Sequence, residues 1–104
     1  MSKIVAEDES EGILQVKEGV VWKSDGLEIV IYHPDGGLFF LDEIASLAWD
    51  MLVNGATRTE ILSNILREYD VEERIALRDL DELLLNLRTY ELVDDSSHHS
   101  KGEE

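Results

Sequence analysis

The chain has no cysteine, one proline and few basic residues, and these shortages exclude several classes of protein. Without thiols there is no disulfide framework and no cysteine-ligated zinc site, which fits the cytoplasm, the location we expect. No window approaches the run of about 18 apolar residues that a membrane span requires, and the amino terminus lacks the apolar segment of a secretion signal. The sequence therefore indicates neither secretion nor membrane insertion.

Most of the charged residues in the sequence are acidic. Acidic residues outnumber basic residues by 24 to 9 in 104 residues, for a net charge of −15. Residues 1–12 and 94–104 each hold four acids and one lysine, which leaves −9 for residues 13–93. Nucleic-acid binding draws much of its free energy from cations that meet phosphates, so this balance argues against DNA or RNA as a partner. Long-range steering favours a neutral or basic partner instead.

The length and the apolar content of 43% allow one domain with a modest core. We expect this domain to span residues 13–93. The flanking segments are polar and acidic, so we predict a flexible N-terminus at residues 1–12 and a disordered tail at residues 94–104. We find no internal repeat.

Turn residues and hydrophobic periodicity predict three strands and then three helices. The strands form an antiparallel meander at Ile13–Trp22, Leu27–Tyr32 and Leu38–Leu41. The first helix is predicted between an N-cap at Asp42 and a stop at Asn54-Gly55, and the second begins with a capping box at Thr57 and Glu60. The third helix has an apolar stripe from near Glu72 to near Tyr90, after which Leu92 and Val93 fold back. The predicted fold class is α+β, winged helix-turn-helix-like, with a three-stranded antiparallel sheet followed by three helices.

Catalytic and metal sites find little support in these residues. His33 lies in a turn before Pro34, and His98 and His99 lie in the predicted tail without a third ligand. No nucleophile stands beside an oriented base, and no lysine follows Gly36-Gly37 as a phosphate loop requires. We therefore predict no enzyme activity, no cofactor and no metal site.

A groove for an incoming peptide is the binding site that the sequence favours. The third strand would leave backbone donors and acceptors free at the sheet edge, where an added strand can pair. At 100° per residue, a band of charged residues and one leucine lies beside the core stripe of the last helix and would form the second wall. The predicted peptide-binding residues are Gly37, Leu38, Phe39, Phe40, Leu41, Arg74, Arg78, Asp81, Leu84, Leu85 and Arg88.

Both walls also have an ordinary structural interpretation. Phe39 and Leu41 are expected to face the core, whereas Leu38 and Phe40 either line the groove or are covered by the last helix. The helical band is equally an ordinary flank on which arginines pair with neighbouring acids and Leu85 is merely exposed.

Several short motifs follow one another in a fixed order along the domain. They are Leu41-Asp42, Ala48-Trp49, Met51-Leu52, Gly55, Thr59-Glu60-Ile61, Leu66, Tyr69, Asp79-Leu80, Leu83-Leu84, Leu87 and Leu92-Val93. Their order and spacing resemble the PqqD-like peptide-recognition proteins, also called RiPP recognition elements. The resemblance covers nearly all of residues 13–93, although the family often has glycine where this chain has Glu91.

The resemblance implies a noncatalytic winged-helix-like domain that binds the leader region of a ribosomally made precursor peptide. The leader would add as a fourth strand to the third strand, against the last helix, and be delivered to a modifying enzyme. That partner would be a radical S-adenosylmethionine enzyme, or the leader protease and cyclase of a lasso-peptide pathway. Two alternatives stay open, a winged-helix transcription regulator and a homodimeric structural domain.

Overall fold

The computed structural model describes residues 14–95, which form an open sheet packed on three helices. The elements run in the order β1 (Leu14–Val16), β2 (Val21–Asp25), β3 (Glu28–Tyr32), β4 (Leu38–Leu41), α1 (Glu43–Val53), α2 (Arg58–Glu68), α3 (Glu73–Thr89) and β5 (Val93–Asp95). The predicted fold class is confirmed, because β2, β3 and β4 form an antiparallel sheet that precedes three helices. No helix within residues 14–95 is long and apolar enough to cross a membrane.

The first predicted strand is wrong in its extent, because the chain turns between Val16 and Val21. The backbone N–H of Val20 donates to the carbonyl of Lys17 at 3.2 Å, and Gly19 has a φ of +91°. β1 therefore leaves the main sheet and pairs with β5, with Val16 opposite Val93. β2 continues through Asp25, and a two-residue Gly26-Leu27 loop joins it to β3.

The closing segment is longer than predicted. Leu92 and Val93 are buried, as a segment that folds back requires. Residues 94 and 95, assigned to the tail in the sequence analysis, belong to β5. The predicted N-terminus at residues 1–12, the rest of the tail, His98 and His99 lie outside the described residues.

All three helices are confirmed, and side chains close two of their ends. The Asp42 carboxylate accepts from the backbone N–H of Ala45 at 2.9 Å, so it caps α1. At α2, Thr57 and Glu60 form both bonds of the capping box. These caps satisfy backbone donors that a helix start leaves without partners inside the helix.

One buried serine connects α1 to the sheet. The Oγ of Ser46 accepts from the backbone N–H of Ile29 at 2.9 Å and donates to the carbonyl of Leu41 at 3.1 Å. Ile29 and Leu41 are opposite each other in β3 and β4, so the hydroxyl extends their ladder at its end. Ser46 is 5% exposed, the one buried polar residue among those described.

The core lies between the sheet and the helices. Its fully buried large side chains are Ile31, Trp49, Ile61 and Leu92. The Trp49 ring of α1 is buried and meets Trp22 of β2 edge-on at 5.4 Å between centroids. Helix α1 is covered on more than one side, so its buried arc is wider than a single stripe.

Replacing Ser46 with alanine should lower the free energy of unfolding by about 1–3 kcal/mol, because the buried Ile29 N–H loses its acceptor. Urea unfolding monitored by circular dichroism measures this. The matched control is Ser63→Ala, an exposed serine on α2, which should leave stability equal or slightly raised because alanine favours helix. Equal effects at both positions would contradict the bridging role.

The end of α3 makes a second stability prediction. Glu91 has a φ of +59°, and the N–H of Leu92 donates to the carbonyl of Leu87 at 2.9 Å, so the helix closes through a left-handed residue that is not glycine. Because that conformation costs a side-chain-bearing residue about 1 kcal/mol or more, Glu91→Gly should raise the free energy of unfolding by about that amount. Glu91→Ala keeps the cost and serves as the control. A glycine variant no more stable than the alanine variant would disprove the explanation.

Candidate functional site

The outer side of β4 is a free edge. The sheet order is β2-β3-β4, and within residues 14–95 no strand pairs with β4 on its other side. Opposed residues in an antiparallel pair alternate between bonded and non-bonded positions. The N–H of His33 donates to the carbonyl of Gly37 at 3.2 Å, which fixes the alternation. The backbone groups of Leu38 and Phe40 therefore point away from β3, towards the open edge.

The side chains of β4 alternate as predicted. Phe39 and Leu41 are half-buried against the core, whereas Leu38 is 57% and Phe40 73% exposed. The alternative in which α3 covers Leu38 and Phe40 is therefore wrong. The two residues whose backbone faces the edge are also those whose side chains stand on the open face of the sheet.

Gly37 lies immediately before this strand. Gly37 has a φ of +107°, which side-chain-bearing residues rarely adopt, and a Cβ added there would lie 3.3 Å from two ring atoms of Phe39. Gly37 therefore lets the His33–Gly37 turn close tightly beside the Phe39 ring. It shapes the start of β4 through its backbone.

The C-terminal end of α3 is the part of that helix that reaches β4. The Tyr90 ring lies 5.2 Å from the Phe39 ring between centroids, and Tyr90 is more than half exposed. At 100° per residue, Leu83 and Asn86 share the flank of Tyr90. The Phe39–Tyr90 contact thus brings the Tyr90 flank of α3 next to the strand with the free edge.

The residues predicted as the second wall lie on a different side of α3. Asp81 receives two hydrogen bonds from Arg58 of α2, at 2.7 and 3.1 Å, and Arg88 lines a small crevice together with Leu14 and Leu52. Hydrogen bonding from Arg58 holds the pKa of Asp81 below its ordinary value. These contacts turn Asp81 and Arg88 towards α2 and β1, so the structure does not bring them to β4.

The other predicted α3 residues are buried or are exposed with local contacts. Leu84 is buried in the core. Arg74 pairs with Glu72 at 3.7 Å and Arg78 with Asp79 at 3.6 Å, and both pairs are exposed. Leu85 is exposed and lies on the same flank of the helix as Arg74 and Arg78. Angular spacing groups positions on one flank of a helix, but it cannot say which flank adjoins the sheet.

Tyr90 is the residue that the sequence analysis missed at this site. It was assigned only as the helix end, because a tyrosine at a C-cap carries no periodic signal of its own. Its aromatic ring at the end of an apolar stripe, next to a strand with two phenylalanines, was the available signal.

The remaining polar candidates form local contacts. His33 accepts the N–H of Asp35 on its Nδ1 at 3.0 Å, as in a side-chain-stabilised turn. Tyr69 donates its hydroxyl to Glu43 at 2.9 Å, and partial burial together with this bond raises the pKa of Tyr69. Among the described residues, no group of three or more histidine, cysteine or acidic side chains is arranged to hold a metal ion.

A sheet with an open edge beside a helix terminus places the chain among small winged-helix-like α+β domains. The family model described as "Coenzyme PQQ synthesis protein D (PqqD)" matches residues 28–93. The chain belongs to the PqqD family. No curated protein sequence matches it.

Two solved structures share this fold. One is described as "TbiB1 in Complex with the TbiA(beta) Leader Peptide"; it is 32% identical, with a TM-score of 0.73 over 77% of this chain and 94% of that chain. The other, "Lasso peptide synthetase B1 complexed with the leader peptide", is 20% identical, with a TM-score of 0.71 over 78% of this chain and 96% of that chain. The first likeness supports the family assignment and the second supports the fold.

Proposed function

We propose that this protein binds the leader region of a ribosomally synthesised precursor peptide by strand addition to β4. The observation that carries the proposal is the free edge of β4, where Leu38 and Phe40 direct their backbone groups outwards and expose their side chains. An extended peptide gains main-chain hydrogen bonds from such an edge and specificity from its alternating side chains. The TbiB1 structure, 32% identical, was solved with a leader peptide.

An added strand would place its side chains alternately on the two faces of the sheet. On one face they would lie beside Leu38 and Phe40, which are exposed. On the other face they would lie beside Phe39 and approach Tyr90 of α3. We propose this Tyr90 flank as the second wall of the groove, in place of the Arg74, Arg78 and Arg88 side, because the contacts of the helix favour it.

The proposed role is recognition and delivery without chemistry on the peptide. A peptide held at an edge strand keeps the remainder of the precursor outside the domain, where an enzyme can reach it. The partner would be the modifying enzyme of the pathway, either a radical S-adenosylmethionine enzyme or a leader protease with its cyclase.

The direct experiment is a titration of the isotope-labelled protein with the leader of the precursor encoded beside it, followed through amide chemical shifts. We expect the largest shifts at residues 37–41 and 83–90. Shifts at Arg74, Arg78 and Arg88 without shifts at β4 would return the site to the other flank of α3. No shifts at saturating peptide would overturn the proposed function.

Phe40→Ser should weaken leader binding by about 1–3 kcal/mol, the scale for removing a buried aromatic contact in an interface. Its side chain has little to lose in the free protein because it is 73% exposed. The matched control is Val21→Ser, which removes an exposed apolar side chain from the same face of the sheet but at β2. Calorimetric titration of both variants distinguishes them, and equal losses would contradict binding at β4.

A second pair of variants decides between the two flanks of α3. Tyr90→Ala should weaken binding about 10-fold or more, whereas Leu85→Ala should change it less than about threefold. Both residues are more than half exposed in the free protein. Thermal unfolding of each variant checks that the lost Phe39 contact has not disturbed the fold. The reverse order of losses would favour the Arg78 and Leu85 flank.

A further inference from the structure

The sheet has a second free edge, on the side away from β4. Within the described residues β2 has a strand partner only in β3. The two-residue loop makes Asp25 and Glu28 the closing pair of the hairpin, and the alternation of the ladder then directs the backbone of Trp22 and Ser24 towards the open side. An added strand could pair with these groups.

This edge is bordered by α1 and by β1, and two adjoining hollows lie along it. A hollow of about 390 Å³ lies between the β2–β3 hairpin and α1, and a hollow of about 620 Å³ lies between β1 and the end of α1. Trp22 lines both of them, so the two hollows adjoin at this side chain, and together they are called the β2–α1 groove below.

An aromatic residue is fixed in the middle of this groove. The Trp22 ring packs edge-on against buried Trp49 at 5.4 Å, while 40% of the residue stays exposed. At the hairpin end, Leu27 is 68% exposed and also lines the groove. A rigid, half-covered tryptophan with an aliphatic neighbour is the kind of residue that dominates binding energy in protein interfaces.

The charges of the groove are of one sign. Its charged lining side chains, among the residues described, are the carboxylates of Glu43 and Asp50. Glu43 accepts from Tyr69, which fixes its position at the rim. Glu43 and Asp50 lie two helical turns apart, about 10 Å, so each would attract a different cationic side chain of an extended segment, and a cation near Trp22 would also be attracted to its ring.

We propose that the β2–α1 groove docks an extended segment of a second protein, one that alternates aliphatic residues with lysine or arginine. Charge complementarity selects this occupant. A second copy of the chain is disfavoured, since two molecules of net charge −15 repel each other. The groove lies across the sheet from β4, about two strand spacings or 10 Å away, so both edges can be occupied together. The proposal does not depend on leader binding at β4.

The test uses a capped heptapeptide of alternating leucine and lysine as probe, with a leucine–glutamate heptapeptide for comparison. Titration into the labelled protein should shift the indole N–H of Trp22 and the amides of Ser24 and Asp50, with millimolar or tighter affinity. The glutamate peptide should leave them unchanged. Shifts centred on residues 37–41, or none at Trp22, would overturn the assignment.

Charge-reversal variants separate a specific site from general attraction to an acidic protein. Asp50→Lys should weaken the leucine–lysine probe about 10-fold or more, whereas Glu82→Lys, the same charge change at an exposed position of α3, should weaken it less than twofold. Because Asp50→Lys could disturb α1, Leu27→Ser serves as a second variant in a loop and should also weaken binding. Equal losses in Asp50→Lys and Glu82→Lys would disprove the site.

Discussion

The hydroxyl of Ser46 is the interaction on which the geometry of both sheet edges depends. It joins the ends of β3 and β4 to the first turns of α1 through Ile29 and Leu41. Where the ladder between the two strands ends, the serine supplies the missing acceptor and donor, and the chain can turn into the helix. The sheet is therefore held at one orientation relative to α1. Helix α1 borders the β2 edge directly, and α3 lies beside β4 through Tyr90. Together with the apolar core, this buried polar contact fixes where the helices stand relative to the sheet.

Much of the fold could be predicted from the sequence because its signals are local. Asp42 and the Thr57–Glu60 box form the expected caps, and the alternation of Leu38 to Leu41 correctly separates the core face from the open face. The split of the first strand was missed, although Gly19 in the turn between Val16 and Val21 was a local signal for it. The pairing of β1 with β5 could not be predicted from local signals, because the two strands lie at opposite ends of the described residues.

The candidate site was predicted in part for a related reason. Free backbone groups at an edge strand can be inferred from strand order, so the β4 half of the groove was accessible to sequence reasoning. The α3 half depends on which side of the helix meets the sheet, and that is set by the contacts of Tyr90 with Phe39 and of Asp81 with Arg58. Helical periodicity is unchanged by rotating the helix about its own axis, so it does not contain this information. Membership of the PqqD family does not identify the individual contacts either.

Two open edges on one small sheet can bind partners, but they can also cause aggregation, because unpaired edge strands pair with other chains. Short strands and a strong negative charge limit that hazard here, since β4 has four residues and copies of the chain repel each other. The same charge leaves the edges available to partners that are neutral or basic. Solubility and selectivity thus come from one property of the composition.

The pairing of β1 with β5 has a consequence for how this domain can be joined to others. Leu14 lies opposite Asp95 in the two-stranded sheet, so the two ends of the described part of the chain are neighbours. A domain with adjacent ends can be placed within a surface loop of a host protein without stretching either, and its ends can be linked and reopened elsewhere as a circular permutant. The small β1–β5 sheet therefore holds the two ends of the domain together, which makes the domain suitable for insertion into other proteins.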